Sequence, residues 1–447
     1  MQRNKEITVR TLRVKNNQPL KKKDIAKIPK LTKKIAGKTL EELEREVLFL
    51  FPEQAKDSSD LGNGQMIIER SGDLLCTGNI MGFIGLEDER LEITSRFRGD
   101  SDYFSRYLLE KVVDYPNIIN TDYDAEQDSH MFNLMVFLFP CCLKTALRKG
   151  IFKRYTRIKY NDSNVKGSID VARHIKINTP FTGNIAYGQR EFSQDNYLTE
   201  LIRHTIEYIK GKPFGKILLG NVKDEIKLIN AATPRYNPLN RQRIIELNTK
   251  NVVQHAFFRE YLTLQRLCVC ILQHRRHRLG SGSRQAKGII FDGAWLWEEY
   301  VASLIGEYFY HPMNKSGKGA QYLFDGNTGL IYPDFIGKNP EARIIADAKY
   351  KPSDNICDRD YLQLLAYMFR FDSRQGFFIY PENGESKGTE LRINRGVTFE
   401  HSVMPRNDIT VTKLGLQIPS DAESYESFTA RIQENEKRFI GALNQQP

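Results

Sequence analysis

With 447 residues, 40% of them hydrophobic and 11% aromatic, the chain is too long for one ordinary core and too apolar to stay disordered, so two or three globular domains are expected. A Lys+Arg count of 66 against 55 Asp+Glu leaves a formal charge of +11, which suits a polyanionic partner without identifying one. The six cysteines, at 76, 141, 142, 268, 270 and 357, make neither a ladder of metal-ligand spacings nor a dense disulfide framework, and a reducing cytoplasm is expected.

Taken in order, the N-terminus has no apolar signal segment. Lys21-Lys22-Lys23 through Lys33-Lys34 is a basic, proline-containing stretch that reads as a solvated loop. Thr39-Leu40-Glu41-Glu42 has the capping-box pattern and predicts a helix to about Leu50. Alternating segments at 66–68, 74–76, 80–86 and 91–93, split by turns such as Ser71-Gly72-Asp73, read as a small antiparallel sheet or partial barrel.

From Asp102 to Leu247 the pattern is mainly helical, most clearly over 103–113, 130–149 and 194–210. The most apolar run, Met131 to Leu143, is too short to span a bilayer and reads as a core helix broken near Pro140. Further on, Arg154, Arg157, Lys159 and Lys166 interleave with Phe152, Tyr155 and Tyr160. They are either phosphate and base contacts or the two sides of ordinary strands. A long helix over about 252–273 ends in His274-Arg275-Arg276-His277-Arg278. Two histidines at a helix end suit the dipole better than a metal, and the cluster with Arg284 and Lys287 is the better phosphate contact.

The residues that carry chemistry lie between 330 and 367. Runs at 331–336 and 343–350 are β-branched and aromatic, and Gly337-Lys338-Asn339-Pro340 between them predicts a hairpin. That puts Asp334 on one strand and Asp347 and Lys349 on the next. Because strand side chains alternate, Asp347 and Lys349 share a face and Ala348 turns away. Two carboxylates and a lysine on one surface suit Mg²⁺, a hard cation that shares its shell with phosphate, and phosphodiester hydrolysis is the reaction such a site would run.

Upstream, residues 294–305 have helical apolar spacing, with Glu298 one step off the buried stripe. Downstream, residues 359–367 predict a helix with Gln363 and Tyr367 on one face. Each feature has a bland counterpart: a same-face ion pair, a turn aspartate, the wet side of an amphipathic helix. The order of helix, hairpin, helix and strand 376–380 favours the site. Ser316-Gly317-Lys318 does not complete a nucleotide-cradling loop, so any nucleotide motor is supplied by another chain. The last segment opens with Ser420-Asp421-Ala422-Glu423, a second capping-box pattern, and gives its helix an apolar face of Tyr425, Phe428, Ile432 and Phe439.

Pro333-Asp334 with Asp347-Ala348-Lys349 resembles the PD-(D/E)xK nuclease motif. Together with Leu296-Trp297-Glu298-Glu299-Tyr300-Val301, Ile345-Ala346-Asp347-Ala348-Lys349-Tyr350-Lys351 and Asp360-Tyr361-Leu362-Gln363, it makes the chain resemble the McrC subunits of McrBC and LlaJI-type restriction systems. Weaker echoes are Gly150-Ile151-Phe152, Val165-Lys166-Gly167 and Gln194-Asp195-Asn196.

The resemblance implies an α/β chain of the α+β multidomain kind. It would have a strand-rich partner-binding module at 1–100, a mainly helical middle at 101–285, and a restriction-endonuclease-like mixed sheet flanked by helices, with a C-terminal helix, at 286–447. It implies a Mg²⁺-dependent endonuclease for double-stranded DNA, part of a hetero-oligomer with an AAA+ GTPase subunit. Asp334 and Asp347 would ligate metal, Glu298 would complete the acidic set, and Lys349 would act on the water. Gln363 and Tyr367 would support the site. Two other readings stay open: an autonomous Q-x-x-x-Y exonuclease, whose cysteine spacing is missing here, and a non-catalytic DNA-binding regulator of a motor.

Overall fold

The computed structural model describes residues 10–44, 47–50, 65–72, 74–97, 99, 103–112, 129–212, 215–277, 286–312, 321–384, 388–396 and 403–444. The chain divides into two compact units, one made of 1–120 with 282–447 and the other of 121–281. The first unit therefore draws on both ends of the sequence, whereas contiguous blocks were the expectation.

The first unit opens with β1 (Arg10–Lys15), β2 (Pro19–Leu20), α1 (Lys22–Ile25) and α2 (Pro29–Ile35). The basic stretch is thus helical rather than a loop. Ile28, Leu31 and Ile35 recur at helical spacing and are fully buried, while Lys27, Lys30 and Lys33 stay in water. The capping box is present, with Thr39 N donating to Glu42 Oε2 at 2.8 Å and Glu42 N to Thr39 Oγ1 at 3.2 Å. Its helix α3 (Leu40–Glu44) stops early, however, and Val47–Leu50 is strand β3, as its V-L-F-L sequence prefers.

Next come β4 (Ile68–Ser71), β5 (Leu74–Thr77), β6 (Ile80–Leu86), β7 (Glu89–Thr94) and α4 (Tyr103–Val112). Among the described residues β2, β5 and β4 form one antiparallel sheet. The other sheet is mixed, because β1 runs parallel to β7. A parallel pair requires a long crossover, and residues 16–88 provide it.

In the second unit α5 (Ser129–Leu147) continues through Pro140 without the expected break. Val136, Phe139 and Leu143 are buried, and α5 packs along the helix Glu260–His277, so tertiary packing offsets the hydrogen bond that proline cannot make. Then follow β8 (Arg154–Asp162), β9 (Ser168–Ile169), α6 (Val171–Ile177), β10 (Ile185–Ser193) and α7 (Tyr197–Lys210). The remaining helices of this unit are α8 (Gly215–Leu218), α9 (Lys223–Ala232), α10 (Arg241–Lys250) and α11 (Glu260–His277), the last starting later than its periodicity suggested.

The interleaved basic and aromatic segment is a strand with two occupied sides. Tyr155 lies across from Phe192 at 5.1 Å with Arg190 over its ring, and Tyr160 stacks on Tyr187 and donates to Glu191 Oε1 at 2.6 Å. The weaker echoes are structural joints. Tyr261 Oη donates to Gly150 O at 2.8 Å, and Asn196 caps α7 while its Nδ2 donates to Phe152 O at 3.1 Å. A Cβ on Gly167 would sit 2.4 Å from Gly188 O, so β9 meets β10 only with glycine there.

The chain then returns to the first unit. β11 (Ala286–Asp292) pairs antiparallel with β6 and parallel with β3, giving the order β1-β7-β6-β11-β3 among the described residues. After α12 (Gly293–Ile305) come β12 (Phe309–Tyr310), β13 (Gln321–Phe324), β14 (Thr328–Ile331), β15 (Phe335–Gly337) and β16 (Ile344–Ala348). The chain ends with α13 (Asp358–Arg370), β17 (Gln375–Glu382), β18 (Thr389–Arg395), β19 (Met404–Gln417) and α14 (Tyr425–Asn444).

A second mixed sheet runs β12-β15-β16-β17-β19-β18 among the described residues, with β16, β17 and β19 parallel. This is the α/β arrangement expected of the C-terminal part. α14 starts one turn later than predicted: Ser424 Oγ accepts from Ser427 N at 3.1 Å, and Asp421 is instead paired with Arg431 at 2.8 Å.

α4, α12 and α14 are joined by a buried polar network in which Tyr107 Oη and Tyr300 Oη both donate to Glu436 Oε1, at 2.8 and 2.7 Å. No helix among the described residues is long and apolar enough to cross a membrane. The side chains of His274, His277 and Lys287, and residues Arg284 and Ser316-Gly317-Lys318, lie outside the described residues.

Candidate active site

The hairpin forms as predicted, with a shorter first strand. Phe335 pairs with Ala346 and Ile336 with Ile345, so the same register carried one residue further sets Asp334 opposite Asp347. Asp334, just before β15, accepts from Ala348 N at 2.8 Å through its Oδ2, which fixes the carboxylate at the end of β16. On β16 the alternation of faces sends Asp347 inward beside Lys349, whose backbone N continues the ladder by donating to Ile379 O at 2.8 Å. Lys349 Nζ stands 2.6 Å from Asp347 Oδ2.

The electrostatics of this cluster are tense. Asp347 is 2% exposed, and burial followed by the neighbouring Asp334 charge pushes its carboxyl up to about 7, against the pull of Lys349. Its Oδ2 takes no well-aligned hydrogen bond; what faces it is the Lys349 ammonium. Burial works against the charge on Lys349, but Asp347, Asp334 and Asp360 outweigh it and hold the ammonium above its ordinary range. Asp360, which sequence reasoning placed only in a motif, carries a distinct role. Its Oδ1 lies 3.6 Å from Lys349 Nζ and its Oδ2 2.5 Å from Lys351 Nζ, while Cys357 N donates to it at the start of α13.

Gln363 and Tyr367 meet as the helical spacing requires. Gln363 Nε2 donates to Tyr367 Oη at 2.6 Å, and Tyr367 is buried in the cluster with Ile345, Leu364 and Phe378 beneath the strand ends. Burial, with the charges of Asp347 and Asp334 adding to it, raises the Tyr367 hydroxyl.

Glu298 is placed differently from the expectation. Among the described residues no group of three or more His, Cys, Asp or Glu side chains could hold a metal ion, so Asp334, Asp347 and Glu298 are not assembled as one ligand set. Glu298 and Glu299 each approach His311 Nε2 at 3.8 Å. His311 Nδ1 is 2.9 Å from Asp334 O, and its ring stacks on Phe335 at 5.1 Å. Burial opposes protonation of His311, but Glu299, the Asp334 carbonyl and Glu298 together raise it to about 9, so the imidazolium balances the two glutamates. Sequence reasoning missed His311. Its signal would have been its position directly after Phe309-Tyr310, which pair with Ile336 and Gly337 next to Asp334.

The sequence matches the family described as McrBC 5-methylcytosine restriction system component over residues 75–381, more than half of the chain. The chain belongs to this family. Among curated proteins none matches it. Of solved structures, it is similar to a chain of the refined half-complex from a tetradecameric assembly of Thermococcus gammatolerans McrB AAA+ hexamers with bound McrC. That likeness has 13% identity and a TM-score of 0.47, covering 97% of this chain and 100% of the other. It is also similar to a chain of the Thermococcus gammatolerans McrBC complex at 14% identity and a TM-score of 0.29, covering 66% and 87%. The McrBC match spans the hairpin, both flanking helices and most of β17.

Proposed function

We propose that this McrBC-family chain is the nuclease subunit of its system, cutting double-stranded DNA by Mg²⁺-dependent hydrolysis in an assembly with an AAA+ GTPase. The observation that carries the proposal is the convergence of Asp334, Asp347 and Lys349 at neighbouring strand ends. In the Thermococcus gammatolerans assembly McrC is bound to McrB AAA+ hexamers, and family membership is what extends that arrangement to this chain.

The residues fit a hard dication. Two carboxylates crowd each other, and the buried Asp347 Oδ2 lacks an aligned donor, so a cation between them would relieve a repulsion that protein groups only partly offset. Two protein ligands also suit Mg²⁺, which keeps several waters and shares its remaining positions with phosphate. Bound at Asp334 and Asp347, Mg²⁺ would supply Lewis-acid polarisation of the phosphodiester and an attacking water of lowered pKa.

The protein's own contribution is orientation and charge. Lys349, held protonated, presents an ammonium beside Asp347 to orient the water or to offset charge on the transition state. Asp360 tethers that lysine from the other side. Tyr367, buried with its hydroxyl accepting from Gln363, backs the site on the α13 side.

The test is cleavage of plasmid carrying the native target with Mg²⁺, by this chain alone and then with its AAA+ partner and GTP. Cutting only in the fuelled mixture, lost on Asp347→Asn, is the expected result. Cutting by the chain alone from DNA ends would turn the reading to an autonomous exonuclease, and no cutting in either mixture to a regulator without catalysis.

A further inference from the structure

We infer that Tyr350 is a positioning residue through which the N-terminal sheet sets the placement of Lys349, an inference that rests on the nuclease reading above. Lys349, Tyr350 and Lys351 alternate at the exit of β16. The two lysines both reach Asp360, and Tyr350 between them points the other way. There it is buried, with Tyr350 Oη 2.6 Å from Ser95 Oγ and 3.4 Å from Met81 Sδ. Its ring packs edge-on against Phe97 at 5.1 Å, and the Arg96 guanidinium lies 5.2 Å above it.

Ser95, Arg96 and Phe97 leave the end of β7, and Met81 is on β6, so every one of these contacts belongs to the N-terminal sheet. The socket is itself fixed. Arg96 N donates to Asn16 Oδ1 at 2.9 Å, Arg96 Nη2 donates to Asn79 Oδ1, and Gly293 N donates to Asn79 O at 3.1 Å. Gly293 opens α12, and a Cβ there would lie 2.7 Å from Tyr350 Cε1, so the socket admits the ring only because that residue is glycine.

A tyrosine serving only to fill space needs no buried hydroxyl. Here the hydroxyl is taken into the N-terminal sheet one residue from the lysine, and a displacement of β7 or β6 would be transmitted along a single peptide to Lys349. The N-terminal sheet thereby gains a mechanical route to the chemistry, which a sheet that engages a partner can use.

The experiment compares wild type, Tyr350→Phe and Ser95→Ala as full-length chains. Tyr350→Phe keeps the ring and its volume while removing the bond to Ser95; Ser95→Ala removes it from the other side and serves where the first variant folds poorly. Two readouts are taken. Fuelled DNA cleavage should lose about tenfold in kcat with KM for DNA unchanged, as a small misplacement of a catalytic group predicts. Acetylation of Lys349 by an amine-reactive ester, followed by mass spectrometry, should speed up about threefold or more, as expected when a packed side chain is released. Lys338, which is held by the Gly306 and Glu307 carbonyls, should keep its rate.

The double variant should be no worse than either single one, because both remove the same bond. Unchanged labelling of Lys349 overturns the link, and changed labelling with unchanged kcat overturns its catalytic meaning. If wild type cuts nothing, the nuclease reading falls, while the labelling arm still decides whether the N-terminal sheet holds Lys349.

Discussion

Two sets of buried carboxylates in the same unit are treated in opposite ways. Glu436 receives two tyrosine hydroxyls from neighbouring helices on one oxygen, and Glu110 receives Tyr425 Oη from α14 at 2.5 Å and Arg106 Nε from its own helix at 3.0 Å, so each is met by donors. Asp347 is as deeply buried, yet its neighbours include a second carboxylate, and its Oδ2 faces an ammonium without an aligned hydrogen bond. Satisfied buried charge ties helices together. Crowded buried charge is a cost that a fold keeps where a ligand or a reaction relieves it.

The contrast predicts opposite responses to loss of charge. Asp347→Asn should lower fuelled cleavage by roughly a thousandfold, in the range seen when an electrostatic catalytic group is removed. It should leave the unfolding midpoint the same or higher, because a repulsion with Asp334 disappears. A midpoint several degrees lower would place Asp347 with the structural carboxylates. Glu436→Ala should do the reverse. It orphans two buried hydroxyls and is expected to cost about 3 kcal/mol in urea unfolding, with Glu436→Gln near 1 kcal/mol because an acceptor remains. Cleavage by folded protein should persist in both Glu436 variants.

How much of this was legible beforehand follows from the range of each interaction. The hairpin, the shared face of Asp347 and Lys349 and the contact of Gln363 with Tyr367 depend on periods of two and 3.6 residues, which any sequence displays. The pairing of β11 with β6 joins residues some 200 positions apart, and the parallel partner of β3 lies as far away, so neither leaves a local trace. Ile28, Leu31 and Ile35 were hidden by the lysines around them, whose charge dominates composition but not packing. His311 takes its role from contacts with separate elements, Glu298 and Glu299 on α12 and the Asp334 carbonyl before β15, and Tyr350 takes its role from Ser95, 255 positions away. Side-chain placement was readable where strand and helix geometry alone create it, and unreadable where tertiary contacts create it.

A third kind of buried ionisable group sharpens the comparison. His204, in the second unit, is 3% exposed against Tyr236, with its Nε2 without a hydrogen-bond partner. Burial, with Arg241 adding to it, lowers its pKa from 6.5 to about 4. The folded form therefore holds the imidazole neutral while the unfolded chain takes up the proton near 6.5. Stability from this residue is fully present above that value and is lost as pH falls through 6.5 toward 4, by up to roughly 3 kcal/mol. Urea midpoints measured between pH 7.5 and 4 should fall, and His204→Leu should flatten that part of the curve. An unchanged slope in His204→Leu would assign the acid sensitivity elsewhere.

The smallest expected effect decides which side of the comparison Glu298 belongs to. Its near neighbour is His311, which also meets Glu299 and the Asp334 carbonyl, so the geometry casts Glu298 as one of two charges that hold an imidazolium beside Asp334. His311→Gln should then reduce cleavage about tenfold by loosening Asp334, as the loss of an outer support does around metal ligands. Glu298→Gln should have a similar modest cost in wild type and almost none once His311 is gone, a coupling of about 1 kcal/mol in the double-mutant cycle. A ligand acting on its own would behave otherwise. If Glu298→Gln costs as much without His311 as with it, Glu298 works directly at the metal, and the crowded set contains three carboxylates rather than two.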